Sequence, residues 1–163
     1  MSASTLSLPL IQLVGIQCRT NNADEQNQKK AKIGALWMRY MNDHIAQQIP
    51  HRKNKGITFS AYTDYENDMQ GEYTCFIGEE VDSLENVPTT LSILLIPGQR
   101  YKKFTSEQGM MPAVCIDLWQ KIWAEYPVAM AGERAYLADF ERYDERAQDP
   151  QHTTLDIYIG LKD

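Results

Sequence analysis

The feature that most limits how this chain can fold is an internal repeat with a spacing of about 82 residues. Four residues recur at this spacing: Leu36-Trp37 reappears as Leu118-Trp119, and Ile77-Gly78 reappears as Ile159-Gly160. Self-similarity at a fixed spacing is the signature of repeated structural units. The sequence therefore predicts a single domain over 1–163, built from two similar halves at about 7–82 and 91–162.

Hydrophobic periodicity gives the same order of elements in both halves. In the first half it predicts a strand at 8–20, a helix at roughly 26–48 that ends before Pro50, and hairpin strands at 57–65 and 72–81. In the second half it predicts a strand pair or bent strand at 91–105, a helix at 111–126, and strands at 134–143 and 153–161. The predicted fold class is α+β, with duplicated β-α-β-β modules forming one antiparallel sheet and two helices on one face.

Composition limits the partners and the compartment. The net charge of −6 and the pI of about 5.1 argue against direct nucleic-acid binding, which needs a concentrated Lys/Arg surface. No stretch approaches the roughly 18 apolar residues that span a bilayer, and the N-terminus lacks the pattern of a secretory signal. The three cysteines, Cys18, Cys75 and Cys115, show no metal-ligand spacing and suit reduced thiols. We therefore expect a cytoplasmic protein without a membrane partner.

Aromatic side chains are concentrated on the second predicted helix. Trp119, Trp123 and Tyr126 share one helical stripe, beside a stripe formed by Cys115, Leu118 and Ile122. If two β-α-β-β modules join around a pseudo-twofold axis, a cleft opens between their helices, and ligand sites favour such seams. One stripe then packs while the other lines the cleft. The alternative is that all six side chains fill the core.

Acidic side chains lie on two of the last strands. Strand alternation puts Asp139, Glu141 and Tyr143 on one face of 136–143, and puts Asp156 and Tyr158 together on one face of the final strand. A carboxylate among apolar neighbours costs desolvation energy that a bound cation would offset. Aromatic faces add an attraction of about 0.5–2 kcal/mol for each cation contact. The alternative is that Asp139 and Glu141 are exposed charges at a sheet edge.

Several of these segments together resemble the GyrI-like superfamily, over nearly the entire chain. The segments are the strand 96–104 around Pro97-Gly98, the Trp-rich second helix, the strand Asp139-Phe-Glu-Arg-Tyr143, and the terminal strand 155–160. That superfamily includes effector-binding domains of AraC-type and multidrug-sensing regulators, and free-standing proteins encoded by integron cassettes, to which this chain is most similar. The resemblance implies a small-molecule effector-binding protein.

The resemblance also implies a ligand site for hydrophobic cationic compounds. Glu141 matches the buried glutamate that attracts such compounds, and Trp119, Trp123 and Tyr126 match the aromatic side of the pocket. Asp156 and Tyr158 occupy the acid-x-Tyr positions of the last strand, with Asp where Glu is frequent. Tyr143 is a further candidate at this site. The implied roles are drug sensing, sequestration or transcription-linked ligand binding.

The alternatives to a binding protein are an enzyme and a structural or protein-interaction domain. Some relatives are thought to hydrolyse small electrophiles with a glutamate and a tyrosine, a pair that Glu141 and Tyr126 or Tyr143 would imitate. The three histidines form no dyad or metal spacing, and no glycine-rich phosphate loop is present, so we expect no metal, no cofactor and no assigned catalytic residue. About seven residues precede the first predicted strand, too few for a helix-turn-helix domain. A regulatory role would then need a partner regulator, and a homodimer stays open.

Overall fold

The computed structural model describes residues 2–66, 71–125 and 134–162, and it confirms the predicted fold class. Its strands form one eight-stranded antiparallel sheet: β1 Ser2–Leu8, β2 Ile11–Thr20, β3 Thr58–Thr63, β4 Tyr73–Glu80, β5 Ser92–Ile96, β6 Gln99–Thr105, β7 Ala138–Tyr143 and β8 Asp156–Leu161. The described helices are α1 Asn22–Glu25, α2 Ile33–Asn42 and α3 Ala113–Glu125, with 3-10 turns at Ile45–Gln48 and Glu145–Ala147.

Strand order places the junction of the two halves at the centre of the sheet. The order is β1-β6-β8-β7-β3-β4-β2-β5, so β7 of the second half pairs with β3 of the first. β1 and β2 form one strand that bends at Pro9, and β5 and β6 form another that bends at Pro97. At the two ends of the sheet β1 pairs with β6 and β2 pairs with β5, so that Leu8 lies opposite Gln99 and Ile11 lies opposite Ile96. The register is the same on both sides of the bends at Pro9 and Pro97, because both strands bend at the same point. The predicted bend of 91–105 is confirmed, and the matching bend of the first half was missed.

The two faces of the sheet bury different cores. On one face, a cluster that includes Leu13, Phe76 and Phe140 is enclosed by the bent strands. On the other face lie the two longer helices: α2 buries Leu36 and Tyr40 over β2 and β4, and α3 buries Leu118 and Ile122 over β6 and β8. Each fully buried large apolar side chain stabilises the fold by about 1.5–3 kcal/mol. The helices are therefore fixed side by side on one face, as predicted.

The first helix is shorter than the sequence predicts. A helix lies inside the predicted range, but the bounds of 26–48 are wrong, because α2 begins only at Ile33 and a left-handed residue, His44 (φ 51°), separates it from the following 3-10 turn. Glu25 accounts for the late start, since its carboxylate accepts hydrogen bonds from the backbone N–H groups of Lys32 and Ile33. A side chain that satisfies the free N–H groups of a helix fixes where the helix begins.

The repeated Ile-Gly dipeptides occupy equivalent places in β4 and β8. A Cβ atom on Gly78 would lie 2.2 Å from the Val14 carbonyl oxygen, and one on Gly160 would lie 2.6 Å from the Ala138 carbonyl oxygen. Both distances are far below van der Waals contact, so the neighbouring strand approaches these positions too closely for any side chain. Each repeated glycine therefore lies where a neighbouring strand comes too close for a side chain, although that strand is β2 at Gly78 and β7 at Gly160.

No helix in the described ranges is long and apolar enough to cross a bilayer. In the same ranges, no group of three or more His, Cys, Asp and Glu side chains is arranged to hold a metal ion.

Candidate functional site

A buried carboxylate lies at the central seam of the sheet. Glu141 on β7 pairs across the seam with Ser60 on β3, and its side chain is only 3% exposed beneath the helices. Tyr62 occupies the equivalent position of the first half, because Tyr62 pairs with Cys75 and Glu141 pairs with Ile157, two residues before the repeated Ile-Gly dipeptides. One half therefore supplies a carboxylate where the other supplies a tyrosine.

Three neutral groups donate hydrogen bonds to the Glu141 carboxylate. Its Oε2 accepts from the Tyr62 hydroxyl at 2.7 Å and from the Trp119 indole N–H at 2.8 Å, and its Oε1 accepts from the Tyr143 hydroxyl at 2.5 Å. Burial, and then the nearby carboxylate, raises the pKa of the Tyr62 and Tyr143 hydroxyls well above the ordinary value. Both hydroxyls therefore stay protonated and donate.

Aromatic rings from both halves surround this carboxylate. The Tyr62 ring meets Trp119 edge-on with centroids 5.8 Å apart, and Trp123 lies against Trp119 at 5.7 Å. From α2, Trp37 contacts the Tyr143 ring edge-on at 5.4 Å. Trp123 is 44% exposed, so the cluster extends from the buried carboxylate to the protein surface along α3. We call these six residues, Trp37, Tyr62, Trp119, Trp123, Glu141 and Tyr143, the Glu141 cluster.

Cys115 borders this cluster. Its sulfur lies 3.4 Å from the Tyr143 hydroxyl oxygen, and the thiol is partly buried. Burial, followed by the proximity of Glu141, raises the pKa of the Cys115 thiol. Since the thiolate is the reactive form, Cys115 is a weak nucleophile in this environment.

Glu141 differs from the other buried acids in what neutralises its charge. Glu79, Asp139 and Asp156 each form an ion pair with an arginine: Glu79 with Arg52 at 3.3 Å, Asp139 with Arg134 at 2.6 Å, and Asp156 with Arg146 at 2.5 Å. Within 2–66, 71–125 and 134–162, Glu141 has hydrogen bonds from tyrosine and tryptophan but no ion pair. It is the buried acid of the described chain whose charge meets only neutral donors.

The sequence-predicted site residues separate into two groups. Trp119, Trp123, Glu141 and Tyr143 lie together in the Glu141 cluster. Tyr126 lies outside the described residues. Asp139, Glu141 and Tyr143 share one face of β7, as the alternation predicts, whereas Leu137 lies in a bend before β7 and is 48% exposed. The alternative of exposed edge charges is wrong for Asp139 and Glu141, which are buried.

Asp156 and Tyr158 lie on the opposite face of the sheet from Glu141. They pair with Arg142 and Phe140, whereas Glu141 pairs with Ile157, and successive side chains of a strand alternate between faces. Tyr158 stacks on Phe140 at 4.6 Å in the enclosed core, and Asp156 accepts a hydrogen bond from Thr105 at 2.7 Å. The expectation that these two side chains share a pocket with Glu141 is therefore wrong. Alternation shows that Asp156 and Tyr158 lie on the same face of β8, but only the β7–β8 register shows that this face is opposite to that of Glu141.

Sequence reasoning missed Trp37 and Tyr62. The repeat offers a signal for Trp37, since it lies 82 residues before Trp119 and therefore at the same point of the first helix. Tyr62 had no such signal, because its role depends on the pairing of β3 with β7 across the two halves.

A depression of about 180 Å³ lies elsewhere, between residues 106–110 and residues 113–121 of α3. Asp117 and Lys121 are among its lining residues, and none of the Glu141 cluster lines it. We place the candidate site at Glu141 because a buried charge and convergent donors are chemically specific, whereas the residues that line the depression include no buried carboxylate with convergent donors.

The fold defines a class of protein. An antiparallel sheet of two β-α-β-β modules, with two helices on one face, is the architecture of GyrI-like effector-binding domains, and the recognition of that superfamily is confirmed. Residues 6–161 match the family described as integron-associated effector binding protein, Cass2, and the chain belongs to this family.

Relatives cover almost the full length of the chain. The crystal structure of the integron cassette protein VCH_CASS2, from the mobile metagenome of Vibrio cholerae, is 27% identical, covers 98% of this chain and 95% of its own, and has a TM-score of 0.78. YobU of Bacillus subtilis (strain 168), named as a candidate transcriptional regulator, is 26% identical over 155 residues, which are 95% of this chain and 94% of YobU. The structure of SAV2435 bound to tetraphenylphosphonium shares the fold at 18% identity, with a TM-score of 0.80 and coverage of 99% and 94%.

Proposed function

We propose that this effector-binding protein binds hydrophobic cationic small molecules at the Glu141 cluster. The observation that carries the proposal is the buried Glu141 carboxylate, which meets three neutral donors and no internal cation in the described ranges. A buried charge without an opposite charge is costly, and a bound cation recovers part of that cost. The site thus favours a positively charged ligand, because the described residues provide no positive charge to Glu141.

The neutral donors prepare the carboxylate for such a ligand. Tyr62 and Trp119 hold Oε2, and Tyr143 holds Oε1, so the charge stays fixed beneath the helices when the site is empty. Three hydrogen bonds to a charged group, each contributing about 1.5–3 kcal/mol, offset much of its desolvation. They leave the net charge in place, and that charge attracts a cation.

The aromatic rings supply the hydrophobic part of the site. Trp37, Tyr62, Trp119 and Trp123 present ring faces and edges around the carboxylate, from both halves of the chain. Each ring face adds about 0.5–2 kcal/mol of cation–π attraction and buries apolar ligand surface. A bulky organic cation satisfies both features, whereas a small hydrated metal ion leaves the aromatic surface unused.

The relatives support the same class of ligand. SAV2435, which shares the fold, has been solved with tetraphenylphosphonium, a hydrophobic cation. We propose that ligand binding here serves drug sensing, sequestration or transcription through a partner regulator, without direct contact to nucleic acid. The hydrolase alternative has weaker support, because the Tyr62 and Tyr143 hydroxyls already donate to the Glu141 carboxylate, so neither proton is directed toward a substrate.

Ligand titration of Glu141→Gln tests the proposal. We expect tetraphenylphosphonium to raise the melting temperature of the wild-type protein and to quench tryptophan fluorescence, since a ligand selective for the native state stabilises it by mass action. Neutral triphenylphosphine oxide, with similar rings and no charge, should do neither. Glu141→Gln keeps the shape of the side chain and removes its charge, so we expect affinity for the cation to fall by at least about tenfold.

Asp117→Asn is the matched control, because it removes one negative charge from an exposed position on α3, outside the Glu141 cluster. It should bind tetraphenylphosphonium with the wild-type affinity. Equal affinity of Glu141→Gln and the wild type would contradict the proposal, as would equal binding of the cation and the neutral oxide.

A further inference from the structure

Two of the three cysteines lie directly opposite each other on neighbouring strands. Cys18 on β2 is the register partner of Cys75 on β4, and paired residues of an antiparallel ladder point to the same face. Both side chains belong to the hydrophobic cluster beneath α2. The sequence, in which 56 positions separate these cysteines, showed no sign of this pairing.

We propose that Cys18 and Cys75 form a reversible disulfide site that is oxidised by small-molecule disulfides such as oxidised glutathione. Directly opposed residues of an antiparallel pair have Cα atoms roughly 4.5–5.5 Å apart. This separation falls inside the range of roughly 4.4–6.8 Å that disulfides span. The backbone therefore already holds the two residues at bonding distance, and only side-chain rotation is needed.

Unequal exposure of the two thiols sets the order of events. Cys18 is partly exposed, whereas Cys75 is fully buried, so a small disulfide reaches Cys18 first. The Cys18 thiol loses its proton and attacks one sulfur of the reagent, whose S–S bond breaks to release one thiolate. Cys75 then loses its proton and attacks the Cys18 sulfur, which releases the second thiolate. Two protein thiols are oxidised, one small disulfide is reduced to two thiols, and both protons end on those thiols.

The proposed bond lies one strand away from the Glu141 cluster. Cys75 pairs with Tyr62, and its sulfur lies 3.8 Å from the Ser60 hydroxyl oxygen. Ser60 is in turn the register partner of Glu141. The bond would link β2 to β4 next to Tyr62, which donates to the Glu141 carboxylate. Oxidation would therefore change the strands beside the Glu141 cluster without modifying a residue of the cluster.

The environment of the thiols makes this exchange slow near neutral pH. Burial, and then the Glu25 carboxylate, raises the pKa of the Cys18 thiol, and burial followed by the proximity of Cys18 raises the pKa of the Cys75 thiol. Because the thiolate is the attacking species, the exchange rate should increase as the pH rises toward these raised pKa values.

Thiol counting after exposure to oxidised glutathione at mildly alkaline pH tests the proposal on the whole protein. We expect the wild type to fall from three alkylatable thiols to one, Cys115, with a single peptide link between Cys18 and Cys75. The oxidised form should melt at least about 4 °C higher, because the bond closes a long loop, and a reducing agent should reverse the shift. Cys115→Ser should form the same link.

Cys18→Ser is the matched negative variant, since it replaces a partly exposed thiol and leaves Cys75 and Cys115 in place. It should form no internal link and show no increase in melting temperature. The proposal is overturned by a stable glutathione adduct on Cys18 with Cys75 still reduced, by a link that contains Cys115, or by three thiols that persist through prolonged treatment.

Discussion

Asp139 and Glu141 are two buried carboxylates on the same face of β7, and their surroundings differ in one respect. Asp139 forms an ion pair with Arg134 at 2.6 Å, and the Arg134 guanidinium carbon lies 4.5 Å from the centroid of the Tyr136 ring and 5.7 Å from that of Tyr65. Glu141 has comparable aromatic neighbours but neutral donors in place of an arginine. The protein thus contains one carboxylate and aromatic cluster that holds its own cation and one that does not.

This difference separates the structural role of Asp139 from the binding role that we propose for Glu141. The Asp139 carboxylate also accepts hydrogen bonds from the Tyr65 hydroxyl at 2.5 Å and from the Gly160 backbone N–H at 2.8 Å, so it ties β7, β8 and the segment after β3 together. An acid with this many fixed partners is occupied within the fold. Glu141 is held by side chains alone, and its charge is still available to a ligand.

Removing the charge of Asp139 should cause the largest loss of stability. Asp139→Asn keeps the shape of the side chain but leaves the buried Arg134 side chain, which is 10% exposed, without its carboxylate. Breaking a buried ion pair by removing one partner costs about 3–5 kcal/mol. Chemical denaturation should show a loss of this size in the free energy of unfolding.

The double variant Arg134→Met/Asp139→Asn sharpens this prediction. It removes the unpaired charge along with its partner, so it should lose much less stability than the sum of the two single variants. Additive losses would mean that Arg134 and Asp139 stabilise the fold independently, and the contrast with Glu141 would fail.

Removing the Tyr62 hydroxyl should cost less. Tyr62→Phe keeps the ring against Trp119 and deletes one donor to the Glu141 carboxylate. A hydrogen bond to a charged group contributes about 1.5–3 kcal/mol, whereas one between neutral groups contributes about 0.5–1.5 kcal/mol. The same change in a Glu141→Gln background should therefore have a smaller effect, and a double-mutant cycle by denaturation measures the difference. A cycle with no coupling would show that Tyr62 does not hold the charged carboxylate.

Glu141→Gln itself should change the stability of the ligand-free protein by less than about 1 kcal/mol. The amide oxygen can accept from Tyr62 and Trp119 as Oε2 does, and the Tyr143 hydroxyl can accept from the new amide NH2 while it donates to the Cys115 sulfur at 3.4 Å. No arginine is left without its partner. The matched changes Asp139→Asn and Glu141→Gln should thus differ by several kcal/mol, although both remove one buried charge. Comparable losses in the two variants would indicate that Glu141 is a structural acid.

The sequence predicted those parts of the site that lie within one element. Strand alternation placed Glu141 and Tyr143 on one face, and helical spacing placed Trp119 and Trp123 on one stripe. The sequence did not predict those parts of the site that depend on which strands pair. Tyr62 donates to Glu141 only because β3 meets β7 across the two halves, and the face of Asp156 follows from the β7–β8 register.

Hydrophobic periodicity could not predict the ends of the first helix or the partners of the buried ion pairs, for a related reason. The helix at 26–48 was predicted too long because its apolar stripe gives no information on Glu25, whose carboxylate caps α2 at Lys32 and Ile33. Arg134 likewise has no pattern that marks it as the partner of Asp139. Both depend on single side chains that reach a backbone or a carboxylate in three dimensions.

Shortening Trp123 should give the smallest effect, confined to ligand affinity. Its side chain is 44% exposed and contacts Trp119 at the outer end of the Glu141 cluster, so Trp123→Ala removes one peripheral ring and little core packing. An exposed cation–π contact contributes about 0.5–1 kcal/mol, which corresponds to a loss of about two- to fivefold in affinity for tetraphenylphosphonium. Ile116→Ala removes a side chain of similar exposure, 51%, from the same helix and should leave affinity unchanged. An equal loss in both variants would mean that α3 contributes general hydrophobic surface, and that the aromatic ring next to the unpaired carboxylate has no special part in binding the cation.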